Sequence, residues 1–177
     1  MVNSIDDLLS QVAKITGTAP TKTTDEKPTY KEKIVPIKVS RLTLDLAKEV
    51  ISCVQKGARE LGKNVAVAIT NDNGRLIAFE AMDDTILAAT DIAQRKAYTS
   101  AALRMTTADA LEKSRGGDLD GLTNGDGLLL LGGGAPLMAG DMLMGAVGVS
   151  GATKDEDTMF ADLGARVFSE IIKKING

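Results

Sequence analysis

Val65-Ala-Val-Ala-Ile-Thr-Asn-Asp-Asn-Gly-Arg-Leu-Ile-Ala-Phe79 is the stretch that decides the fold. Val65, Val67 and Ile69 alternate with Ala66, Ala68 and Thr70, and a period of two belongs to a strand. Asn71-Asp72-Asn73-Gly74 then supplies the positive φ angles of a tight turn, and Leu76, Ala78 and Phe79 carry a second strand. Strands joined by so short a turn are antiparallel.

Upstream, Thr43 N-caps a helix that sets Ala47, Val50, Ile51, Val54, Ala58 and Leu61 on one face and stops at Gly62. Downstream, Ala88 to Leu103 is helical, and Ala89, Ala93, Ala97, Ser100 and Ala101 give it a small-residue surface that admits another backbone or a ligand. Arg115 to Gly127 is a Gly/Asp-rich loop, and Leu128 to Leu131 reads as a buried strand. Gly132-Gly133-Gly134 is a hinge into Ala135-Pro136-Leu137-Met138, and Ala139-Gly140-Asp141 turns into a strand from Leu143 to Ser150. Gly145 and Gly148 thin that strand where something approaches it. Thr153 opens a last helix in a capping box with Glu156, with Phe160, Leu163, Gly164, Val167, Phe168, Ile171 and Ile175 as its buried face. Helix, hairpin, helix, hairpin, helix is the order of an α+β domain, an antiparallel sheet carrying helices, over residues 39–177.

Two further segments precede that domain. Residues 1–17 form a short amphipathic helix with Ile5, Leu8, Leu9 and Val12 on one stripe, Ser4 as N-cap and Gly17 as stop. Residues 18–38 carry Pro20, Pro28 and Pro36 among Thr, Lys, Asp and Glu without an apolar period, the composition of a flexible linker. A helix of that length is not stable alone, so the stripe needs a surface: its own domain, a sister subunit or a groove on a partner. The pattern resembles the N-terminal encapsulation peptides that direct enzymes into bacterial microcompartments.

Composition limits the chemistry. The 177 residues contain no histidine, which removes the usual neutral-pH general base, the commonest haem, zinc and copper ligand, and every Ser-His or Cys-His nucleophile pair. Trp is absent, aromatic residues make up 3% and the net charge is -3, which leaves no stacking platform or basic patch for nucleic acid. Cys53 is alone, so no intrachain disulfide forms, a reducing compartment fits, and the side chain reads as a packed hydrophobe. No apolar run approaches the roughly 18 residues of a membrane span, so the expected location is the cytoplasm.

Candidate chemistry is sparse. The glycines at 132–134 lack the Gly-Lys-Ser/Thr ending of a phosphate loop and read first as a sharp bend. Asp155, Glu156 and Asp157 complement the positive end of the last helix. Asp91 and Arg95 are spaced as a surface ion pair. The alternative is a pocket in which Asp91, Arg95, Lys96 and Thr99 meet the glycine turn of Gly133, Gly134 and Ala135, with Lys96 supplying charge to an anionic ligand.

Leu42-Thr-Leu-Asp-Leu-Ala-Lys48, the strand pair with its Gly74 turn, Asp91-Ile-Ala-Gln-Arg-Lys-Ala-Tyr-Thr99, Gly132-Gly-Gly-Ala-Pro136 and Gly145-Ala-Val-Gly-Val-Ser-Gly151 resemble, in order, the GlcG/HbpS family. That family includes the C-terminal domain of the PduO corrinoid adenosyltransferase. The resemblance implies a profilin-like sheet flanked by helices, symmetric homo-oligomers that are often octamers, and binding of haem or another small ligand. It also implies links to corrinoid metabolism and microcompartment operons. A histidine haem ligand cannot carry over; Cys53, Tyr30, Tyr98, Lys96 or a Met would have to replace it.

Together these features predict a non-catalytic or weakly catalytic cargo or accessory protein of a microcompartment lumen that binds haem, a corrinoid or another anionic cofactor. Its head, residues 1–17, would engage a shell protein or cargo enzyme. The alternatives are an oligomeric hub without cofactor, and a small enzyme using proton transfer between Asp91 and Lys96.

Overall fold

Thr43 Oγ1 accepts the Leu46 N–H at 3.3 Å and opens α1 (Leu44–Glu60) in the computed structural model of the chain. The structure describes residues 41–122 and 127–176. Ile5, Leu8, Leu9, Val12 and Tyr30 therefore lie outside the described residues. At the far end of α1, Gly62 N donates to Arg59 O at 3.0 Å and Lys63 N to Ala58 O at 2.9 Å, with Gly62 at φ +65°. This is a Schellman stop, and the left-handed residue is the glycine that marks it in the sequence.

The hairpin follows as β1 (Ala66–Asn71) and β2 (Leu76–Ala81), closed by Asn71 Oδ1, which accepts from Asn73 N at 3.0 Å and Arg75 N at 2.9 Å. Next come α2 (Leu87–Leu103), α3 (Thr107–Lys113), β3 (Gly134–Ala139), β4 (Met142–Ser150) and α4 (Lys154–Asn176). The sheet has the order β2-β1-β4-β3 with every pair antiparallel, so the two hairpins meet along β1 and β4.

Both faces of the sheet are covered. Val65, Val67, Ile69, Val147 and Val149 pack with α1 and α4, whereas Ala66 and Ala68 pack with Ala89, Ala93 and Ala97 of α2. The small side chains of α2 thus admit another backbone. A Cβ at Gly148 would press on the Ala93 carbonyl and the Ala97 nitrogen.

Four details differ from the sequence reading. Leu128 to Leu131 are half-buried and outside any strand, because Leu129 N donates to Thr99 Oγ1 of α2 at 2.8 Å instead of to a sheet neighbour. The second hairpin is built only from β3 and β4. The seven-residue α3, N-capped by Thr106 Oγ1 on Asp109 N at 3.1 Å, is too short to show a period. Leu61 and Ile175, expected in the core, are 53% and 47% exposed because each lies at or beyond the last turn of its helix. Leu163, Val167 and Ile171 are half-buried.

Candidate functional site

Lys96 projects from α2 into the interior and is fully buried. Its Nζ donates to Asp157 Oδ2 at 2.7 Å and to Val149 O at 2.9 Å, while Asp157 Oδ1 accepts from Ala152 N at 3.0 Å. Burial pulls the Lys96 pKa below the ordinary lysine value and pushes that of Asp157 above the ordinary carboxyl value; their mutual hydrogen bond and attraction oppose both shifts.

The glycine turn covers this pair. Gly133 sits at φ +118°, where a Cβ would lie 2.7 Å from Lys96 Nζ and 2.9 Å from Asp157 Cβ. Gly134 N donates to Thr107 Oγ1 at 2.8 Å, and Ala135 is buried behind it. Lys96, Gly133, Gly134 and Ala135 are indeed neighbours, but in the core. The ammonium expected to meet an anionic ligand is held by Asp157 instead.

Asp157 is buried and paired with Lys96, unlike the two acids beside it. Asp155 is exposed and pairs with Lys154 at 3.4 Å. Glu156 closes the capping box, accepting from Thr153 N at 3.0 Å, and reaches Lys63 at 3.0 Å. The Thr153 backbone N–H, then Lys63 and the Thr153 hydroxyl, hold its pKa down to about 2. All three acids stand in the first turn of α4, and Asp157 accepts from Ala152 N there while it also holds Lys96. Among the described residues no three His, Cys, Asp or Glu side chains converge on a metal position.

Asp91 and Arg95 face outward, in a different place from Lys96. With Thr70, Gly74, Leu76, Gln94, Tyr98 and Gly127 they line a groove of about 340 Å³ beside the hairpin turn. The Arg95 guanidinium lies 4.0 Å from Asp91 and donates to Leu128 O at 3.2 Å. An exposed pair of this kind contributes at most about 1 kcal/mol. The Tyr98 ring is gripped at its edges: a Cβ at Gly74 would lie 2.8 Å from its Cδ2, and one at Gly127 3.5 Å from its Cε1. Thr99 is buried and spent, donating to Arg95 O at 2.8 Å and accepting from Leu129 N.

Thr70 also lines the groove. It is 2% exposed, and its hydroxyl has no hydrogen-bond partner among the described residues. A buried hydroxyl left unpaired costs about 1–3 kcal/mol, and Thr85 Oγ1 is in the same position. No signal along the chain distinguishes Thr70, which reads as one more residue of an alternating strand. A larger cavity of about 640 Å³ lies between α1 and α4, lined by Leu61, Met159, Leu163 and Arg166, and none of the seven predicted residues borders it.

Proton transfer between Asp91 and Lys96 is not supported by this placement. One is exposed on the groove and the other is buried against Asp157, five residues on and across the helix.

Residues 42–166 match the family described as Haem degrading protein HbpS-like. The chain belongs to the HbpS-like family. An uncharacterized 15.0 kDa protein from the dhaT-dhaS intergenic region of Citrobacter freundii is 32% identical to this HbpS-like chain over 136 residues, 75% of the chain and 96% of the relative. GlcG of Escherichia coli K12 is 34% identical over 109 residues, 62% of the chain and 81% of GlcG. The crystal structure of Klebsiella pneumoniae ORFY, from DUF336, superposes with a TM-score of 0.68 at 26% identity, covering 86% of the chain and 98% of ORFY. The HbpS-like span begins at Leu42, so residues 1–38 stand outside it.

Proposed function

We propose that this HbpS-like chain is a homo-oligomeric accessory protein that binds an anionic tetrapyrrole, haem or a corrinoid, in the groove between the β1–β2 turn and α2. The observation that carries the reading is the exposed Arg95 guanidinium in a groove shared with Tyr98. The family description, which names haem, supports it.

The residues fit such a ligand without imidazole. Arg95 would meet a ring carboxylate, since guanidinium and carboxylate match in charge and fork geometry. Gly74 and Gly127 pack at the two edges of the Tyr98 ring and hold it in place. The bound cofactor itself would supply a redox-active metal.

Titration with haem and with a corrinoid, followed by the visible spectrum, tests this reading. Arg95→Gln should weaken binding by about tenfold or more, as expected for a charge-assisted contact worth about 1.5–3 kcal/mol. Absence of a spectral change with either ligand ends the proposal and leaves the oligomeric hub. Sedimentation equilibrium should show a species larger than 18.5 kDa, and a monomer at every concentration would remove the oligomer from the proposal.

The proposed location is a microcompartment lumen, reached through residues 1–17. Support comes from the amphipathic stripe of Ile5, Leu8, Leu9 and Val12 in a segment beyond the family span. A fluorescent protein carrying residues 1–20 should co-localise with shells, and Leu8→Glu with Leu9→Glu should disperse it. Diffuse fluorescence of the unmodified fusion would refute targeting.

A further inference from the structure

Resting on the homo-oligomeric reading, we propose that the open edge of β2 is the contact between two copies of this chain, which pair β2 against β2 in antiparallel order about a two-fold axis.

The two edges of the sheet are finished differently. On β3 the Gly134 N–H is taken by Thr107 Oγ1 at 2.8 Å, and the next residue whose backbone faces the same way is Pro136, which has no N–H to offer. That edge is closed to another strand. On β2, Met82 N donates to Val65 O at 3.1 Å, so alternation along the antiparallel pair turns the N–H and C=O of Phe79 and Ala81 away from β1, to the open side. The register shift lies at the other end, where Ile69 pairs with Ala78 and Thr70 with Leu76, and it leaves residues 78–81 regular. β2 contains no Pro and no Lys, and its one charged side chain, Glu80, accepts from Gln55 Nε2 at 3.1 Å. A regular edge without these protective devices is a template for a further strand.

The flanks of β2 fit a reversed copy of themselves. Turning the strand about Phe79 brings the start of one β2 to the end of the other. Arg75, just before β2, then lies opposite the partner's Asp83, with the partner's Asp84 beside it. All three are exposed, and none forms an ion pair among the described residues. Leu76 in the same way meets the partner's Ile86 and Leu87. At 63% and 86%, these two are the most exposed large apolar side chains among the described residues. Leu76 lines the groove with Asp91 and Tyr98 of α2, and Leu87 opens α2, so the apolar contacts stand on one face of the sheet. Each contact occurs twice about the axis, as an isologous interface requires. Because Leu76 also lines the groove, the partner's Leu87 stands beside it and the groove lies next to the interface.

Sedimentation velocity of the full chain over a range of concentrations tests the interface, with circular dichroism to show that each variant is folded. Arg75→Asp should weaken self-association by about tenfold or more, because a carboxylate then faces two others on each side of the axis. Asp83→Arg should weaken it in the same sense, and Arg75→Asp combined with Asp83→Arg, which exchanges the charges, should restore it. Leu87→Asp, at an exposed position, should weaken it independently of the ion pairs. Native-sized species in both Arg75→Asp and Leu87→Asp overturn this interface and leave the oligomer standing on another surface. Loss in the two single charge variants without recovery in the exchanged one overturns the antiparallel pairing. A native chain that is monomeric at every concentration overturns the oligomer and this interface together.

Discussion

Lys96→Met and Asp157→Asn, made singly, should each lower the unfolding free energy by about 3–5 kcal/mol, because each leaves a buried charge without its partner. Together they should cost much less than the sum. The introduced amide keeps an acceptor for Ala152 N, and the introduced thioether chain fills the channel of the lysine stem without a charge. A pair joined by one 2.7 Å contact is coupled, and a double-mutant cycle from urea unfolding measures that coupling. Additive losses would show that the pair does not act as a unit.

The two single variants should also answer pH in opposite directions. Burial lowers the Lys96 pKa, so between its folded and unfolded values the unfolded chain binds more protons and stability rises with pH. Asp157→Asn removes the partner that opposes this shift, and its deficit should shrink above neutrality as pH climbs toward the ordinary lysine value. Burial raises the Asp157 pKa, so the folded chain binds more protons in the corresponding window and stability rises as pH falls. Lys96→Met should therefore recover on acidification toward the ordinary carboxyl value. Chemical denaturation of both variants across pH checks the signs.

Gly148→Ala should be the most damaging exchange of a single hydrogen for a methyl group. The new Cβ would press on the Ala93 carbonyl and the Ala97 nitrogen, both belonging to the α2 backbone, so the helix itself would have to lift from β4. Overpacking against side chains costs about 1–3 kcal/mol, and a backbone neighbour that cannot rotate away places this case at or above the upper end. Gly140→Ala is the control. Nothing lies within 4 Å of its Cβ position, and φ +61° alone costs about 1–2 kcal/mol. Thermal unfolding should rank the two in that order. The same displacement would move Arg95 and Tyr98 from the β1–β2 turn, so a folded fraction of Gly148→Ala should also lose the haem titration.

How much can be read along the chain depends on the range of the interaction. The Thr43 cap, the Gly62 stop, the Gly74 turn and the Thr153–Glu156 box are closed by groups within five residues of one another, and the structure has all four. Leu128 to Leu131 mislead because an apolar run suits a strand, a buried helix or a covered loop equally well. A single bond from Leu129 to Thr99, thirty residues away, makes it the last. Asp157 groups with Asp155 and Glu156 in the sequence because all three stand in one helical turn. Its partner is 61 residues distant, across a sheet no local pattern announces. Lys96 does lie beside the glycine turn, as its sequence reading expects, and inside the core its charge is paired with Asp157.

The antiparallel hairpin, the strongly capped helices, the family and the exclusion of imidazole chemistry all follow from the order and inventory of residues, because each rests on local geometry or on which side chains are present at all. Which polar groups are spent and which stay open is settled only once the chain has folded. Lys96 and Thr99 are satisfied inside, whereas Arg95 and Tyr98 meet at one groove. That division depends on burial and on partners brought together by the folding of the sheet, and neither property belongs to a residue until the chain has closed around it.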